Sequence, residues 1–213
     1  MGERGMNKNE TIIQKKLSEI ETRIAGKHYP ALFTDMVRVQ MVIDRGVSNS
    51  NKGSMRWVNK LISHDSESFF KNCKKLLHMM LYYDEPEWRL YSSVNPRNPD
   101  HAGKLLIADL VMDLGSDFET TYWKRLNVNG RFVSALSLPE SRDTLRDQHF
   151  LIDIDTTEVR VAKEVIELIG SSFYLIYDTP NGFHIIASKF DTRIIENIEH
   201  VSFKRDGLLL LSW

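Results

Sequence analysis

Two aspartates one residue apart, Asp153 and Asp155, lie inside the apolar run HFLIDIDTTEV at 149–159. An apolar strand excludes carboxylates unless something positive sits opposite, because an unpaired buried charge is very costly. Successive side chains of a strand alternate faces, so Ile152 and Ile154 would point one way, into a helix layer, and the two acids the other. Two like charges on one side of a strand repel. A divalent cation such as magnesium or manganese reverses that sign by taking carboxylate oxygens. Two ions at such a site can clamp a polyphosphate, activate a hydroxyl and stabilise a leaving oxygen. Asp155 also stands where it could cap a helix beginning near Thr157. Capping gives no reason for Asp153.

The following segments add groups suited to phosphate. YDTPNGFHII delivers His184 just after a glycine turn, with Ile186 on its face and Phe183 and Ile185 on the other. An imidazole carrying its proton on the outer nitrogen donates to phosphate oxygens. The last segment puts Ser202, Lys204 and Asp206 on one face. Lys204 would answer phosphate charge, and Asp206 is either a third metal ligand or part of a turn, since RDG is also a hairpin signature.

Elements that would carry these residues can be read from periodicity. Ile13, Leu17, Ile20 and Ile24 mark an amphipathic helix over 9–25, and ALFTDMVRVQMVI at 31–43 reads as a strand closed by a mobile loop at 44–54. A helix over 65–82 follows, with Cys73 on its apolar face as a core thiol. EWRLYSSVNPRNPD is a strand running into a proline-punctuated loop, and Asp100 can cap a helix carrying Leu106, Leu110 and Leu114 that stops at Gly115. Then come the HFLIDID strand, a helix ending on Gly170, two strands joined by Pro180-Asn181-Gly182, a short helix at 191–200, and a last strand or hairpin. The expected fold is α+β: an RRM-like, mainly antiparallel sheet with helices on one face over 86–213, plus an N-terminal helix-rich α/β unit over 1–85.

Composition bounds the partners. The 213 residues are 42% hydrophobic and 27% charged with net charge −1, so any nucleic acid would be met by a local patch rather than a global field. One cysteine excludes an internal disulfide, no apolar run reaches membrane-spanning length, and a cytoplasmic, non-membrane protein is expected. Phosphate-loop, dinucleotide, nucleophile-elbow and zincin motifs are absent.

FLIDID, TPNGFH and the closing FKRDGLLLL together resemble the archaeo-eukaryotic primase superfamily, whose members carry paired acids on a strand, then a small-residue-x-His motif, then a strand with a final acid. RLYSSVNPRN is similar to the strand and loop before the metal strand in small phage- and plasmid-type members. The resemblance implies metal-dependent nucleotidyl transfer on a single-stranded DNA template. Asp153, Asp155 and Asp206 would be the catalytic, metal-binding acids of a two-ion magnesium or manganese site. Gly182, at a position where serine is commoner, and His184 and Lys204 would meet the nucleoside triphosphate, with Asn95 and Arg97 as further nucleotide or template contacts. Arg56, Trp57, Lys60, Arg89 and Lys104 are template candidates, although KGSMRWVNK also reads as a solvated helix face. With no zinc module or helicase domain in the chain, a separate helicase or single-strand-binding protein would assist. The alternatives are a non-catalytic module that binds single strands, or another D-x-D metal enzyme such as a nuclease or glycosyltransferase.

Overall fold

A computed structural model describes residues 8–24, 37–45, 56–84, 87–113, 127–143 and 148–213. Residues 31–36 of the first expected strand, most of the 44–54 loop, Leu114, the helix stop at Gly115 and the side chain of Arg56 lie outside them. In chain order the elements are α1 Lys8–Ile24, β1 Arg38–Asp44, β2 Arg56–Ser63, α2 Ser66–Tyr83, β3 Trp88–Ser93, α3 Pro99–Asp113, α4 Val128–Leu136, β4 His149–Ile154, α5 Val159–Ile169, β5 Phe173–Thr179, β6 Gly182–Ser188, β7 Val201–Lys204 and β8 Leu208–Ser212. The class is α+β, and no described helix is long and apolar enough to cross a membrane.

The strands form two antiparallel sheets of four, ordered β2-β1-β3-β8 and β5-β6-β4-β7. This corrects the expectation of one sheet with an open face. The boundary expected at 85/86 does not divide the sheets, because β3 and β8 pair in the same sheet as β1 and β2. The closing segment is neither one strand nor a hairpin. β7 pairs with β4 in the second sheet, and the chain turns at Arg205-Asp206 so that β8 joins β3 in the first.

Local sequence explains most elements. Asp65 and Ser68 form a reciprocal capping box that starts α2, and Asp84 ends it in the left-handed region with its N–H on the Met80 carbonyl. Ile13 and Ile20 of α1 meet Phe69, Cys73, Leu76 and Leu77 of α2 in a core shared with both sheets. On α5, Val161, Ala162, Val165 and Ile169 face Ile152, Ile154, Ile185 and Ala187 of the second sheet. The helix layer therefore takes the isoleucines of β4, as alternation requires.

Other elements depart from expectation. Residues 191–200 hold only a 3-10 turn at Thr192–Ile194 instead of a helix. Asn98, not Asp100, caps α3, accepting from the N–H groups of Asp100 and His101. α4 was not expected; it starts where Asn127 accepts from the Gly130 N–H. β2 replaces the helix face read into KGSMRWVNK. A bulge between Val42 and Ile43 breaks its register, so Val58 and Leu61, an odd step apart, pack on the same core and no alternation shows.

Candidate functional site

Asp153 is tolerated inside β4 because the register sets a polar row across the second sheet. Asp153 faces His184 on β6 and Ser202 on β7, and His184 in turn faces Tyr177 on β5. The Asp153 carboxylate lies with Oδ1 3.2 Å from His184 Nε2 and Oδ2 2.8 Å from Lys204 Nζ. Tyr177 Oη lies 2.8 Å from His184 Nδ1. A neutral imidazole protonated on Nε2 satisfies the chain: the phenol donates to Nδ1, and Nε2–H points at the acid. Burial pushes the Asp153 carboxyl up, but the hydrogen bonds from His184 and Lys204 outweigh it and hold the group well below the usual carboxylate range.

One layer along the strands the row turns apolar. Leu151 and Ile186, with the Tyr177 ring reaching in from the polar row, join Leu90, Leu209 and Leu211 of the first sheet in one core. On the other face of the first sheet from those leucines, Arg89, Tyr91, Leu208 and Leu210 border a cleft of about 380 Å³ beside the Asp153 row. Asp153, Asp155, His184 and Lys204 line one wall, and Arg45, Arg89 and Tyr91 the other. Burial pushes the Tyr91 phenol up, with Arg45 and Arg89 pulling it back. The cleft thus sets carboxylates against cations across a gap, which suits an anionic ligand carrying its own counterion.

Asp155 follows the last β4 residue and is exposed; its backbone N–H donates to the His200 carbonyl, 2.9 Å. It does not cap α5, whose N-cap Glu158 has no side-chain cap bond. The acid instead opens onto the cleft beside Asp153. Asp206 also borders the cleft, but its carboxylate is already engaged. Arg97 Nη1 is 2.7 Å from Oδ2, and Asn95 Nδ2 is 3.4 Å from Oδ1.

Asn95 and Arg97, expected as ligand contacts, are buried behind the cleft. The Asn95 amide accepts from the His149 N–H and donates to the carbonyls of His149 and Arg205, tying the loop after β3 to the start of β4 and to the β7–β8 turn. Arg97 also donates to the Leu138 carbonyl. Both position the walls instead of touching what lies between them. Gly182 is buried as well: a Cβ there would stand 2.0 Å from the Ile154 carbonyl oxygen. Glycine is thus set by the close approach of β6 to β4, and a serine hydroxyl has no room.

Of the template candidates, Arg89 lines the cleft. Trp57 and Lys60 lie on β2 at the far edge of the first sheet, Lys60 Nζ 4.4 Å from the indole centroid, and Lys104 is exposed on α3. Arg45, Tyr91 and Tyr177 are site residues that sequence reading passed over. Tyr177 was legible: with a turn at Pro180-Asn181, it is the residue that folds back opposite His184. Arg89 and Tyr91, two apart on one strand, share a face. Arg45, at the edge of a polar loop, gave no signal.

Among the described residues no three acid, imidazole or thiol groups gather as a ready cage for a metal. The donor set nevertheless fits a hard cation that takes one or two carboxylates and fills its shell with water and phosphate oxygens, as magnesium does. Asp153 and Asp155 are the two carboxylates so placed. Compared with known proteins, the chain matches no family model, no curated protein and no solved structure.

Proposed function

We propose that this protein is a metal-dependent nucleotidyltransferase of primase-polymerase type, joining nucleoside triphosphates on a single-stranded DNA template. The observation that carries the reading is the cross-strand row. Asp153, His184 and Lys204 project from three neighbouring strands into one cleft, facing Arg45 and Arg89 on the other sheet. The order of the second sheet supports it too. A β-α-β-β-β run arranged β5-β6-β4-β7 has the strand order of an RRM-like sheet, with the second helix reduced to the 3-10 turn before β7.

In this reading Asp153 and Asp155 hold magnesium or manganese, which when bound supplies positive charge to the phosphates and to the attacking hydroxyl. His184, its tautomer set by Tyr177, would pass the Nε2–H that it aims at Asp153 in this structure to a phosphate oxygen once a metal holds the acid. Lys204, Arg45 and Arg89 neutralise the remaining phosphate charge from both walls. Tyr91 gives the opposite wall an aromatic face beside the nucleotide. Asn95 and Arg97 keep the walls at their separation. Positioning and fixed charge make up most of the catalysis in phosphoryl transfer, so such a site needs no protein nucleophile.

One feature favours a second reading, a module that binds nucleotide or single strands without chemistry: both oxygens of Asp153 already have cationic or imidazole partners. One experiment separates the two. The protein, single-stranded DNA and labelled triphosphates are incubated with manganese or magnesium, beside Asp153→Asn/Asp155→Asn. Metal-dependent extension by wild type, reduced at least about a hundredfold in the double variant, supports catalysis. Equal products from both, or none under any condition, refute it; single-strand binding indifferent to metal then favours the module. Degradation of the strand without triphosphates would point to a nuclease.

A further inference from the structure

The Lys204 ammonium stands where a cation would have to bind. Its Nζ is 2.8 Å from Asp153 Oδ2, a charge-assisted contact on the carboxylate that the proposed function gives to a metal. Three observations make it a displaceable occupant. Lys204 ends β7, the edge strand of its sheet among the described residues, so no described strand hems it in on the outer side. Its side chain is 53% exposed, against 18% for that of Asp153. Among the described residues its ammonium makes a single hydrogen bond, leaving two of its three donors unused. The other partner of the acid differs in each respect: His184 is buried on a central strand and held from behind by Tyr177.

We infer that Lys204 is an internal counter-cation that fills the metal position on Asp153 in the free protein and is released into the cleft when a divalent ion arrives. The inference rests on Asp153 being a metal ligand. Two consequences follow. The lysine competes with the metal and weakens its binding in the absence of nucleotide. The ammonium set free then lies in the same cleft as the phosphates and can pair with them, so metal and triphosphate favour each other's binding reciprocally. Without Lys204 the free site would carry uncompensated negative charge and hold a stray cation without substrate.

The test uses the 213-residue chain and manganese alone, with free ion read by electron paramagnetic resonance. Lys204→Met is expected to bind manganese about three- to tenfold more tightly than wild type, the scale set by loss of one partly exposed competing ion pair. In wild type, acylation of Lys204, read by mass spectrometry, should rise on adding manganese while that of exposed Lys71 stays constant. Manganese binding by both proteins with equal or weaker affinity in Lys204→Met, and unchanged labelling, overturns the counter-cation role and leaves the metal site standing. Absence of manganese binding in wild type, Lys204→Met and Asp153→Asn alike overturns both. Circular dichroism of each variant guards against a folding defect.

Discussion

Two acids border the same cleft and live in different worlds. Asp153 sits in the mouth, with one imidazole and one half-exposed ammonium for partners. Asp206 sits at the junction of the two sheets, its side chain 9% exposed and that of Arg97 1% exposed. The first pair can exchange partners because water reaches it and the lysine stem can swing. The second cannot, since separating two charges at that depth leaves each uncompensated in a medium that solvates it poorly. Chemistry is therefore available at Asp153, while Asp206 and its neighbours hold the cleft walls in register. A carboxylate near a cleft is not thereby a ligand; what else holds it decides.

The sharpest way to break this contrast is at the junction. Arg97→Met should leave Asp206 buried without its cation and destabilise the protein by about 3–5 kcal/mol in urea unfolding. The double change Arg97→Met/Asp206→Leu should recover much of that. A cost below about 1 kcal/mol for the single variant would mean that the pair does not lock the sheets. Gly182→Ser comes next, at roughly 1–3 kcal/mol, because the new Cβ meets backbone at 2.0 Å and must push β6 off β4. The His184 imidazole signals in nuclear magnetic resonance should shift with it. Gly103→Ala is the control, with nothing within 4 Å of its Cβ, and should be neutral or mildly stabilising. Full stability in Gly182→Ser would show that the close approach relaxes freely.

The smallest effect concerns pH at the mouth. The Asp153 carboxyl titrates lower in the folded chain than in the unfolded one, so its contribution is fully present above the ordinary carboxylate value of about 4 and is lost as pH falls below that. Unfolding free energy should thus decline less between pH 6 and pH 3 in Asp153→Asn than in wild type. Equal declines would show that the His184 and Lys204 contacts do not stabilise the ionised acid.

Much of the second sheet was legible because its signals are local. The alternation in FLIDID assigned Ile152 and Ile154 to a helix layer, and the Pro180-Asn181-Gly182 turn paired β5 with β6, setting Tyr177 opposite His184. The first sheet was far less so. Its strands come from both ends of the chain, and β8 pairs with β3 across more than a hundred residues, a contact no window of sequence contains. The bulge in β1–β2 erased the alternation that would have revealed β2. Asn95 and Arg97 were read as ligand contacts from the resemblance of RLYSSVNPRN to a family segment, which says nothing of burial; in the packed chain both are buried.

By itself the sequence determined which side chains share a strand face and which turn sets Tyr177 opposite His184, since alternation and tight turns depend only on neighbouring residues. Only the tertiary structure decided which acid is open and which is locked. That depends on how far each sits from water and on what the other sheet places against it, and burial is a property of the packed chain rather than of any segment.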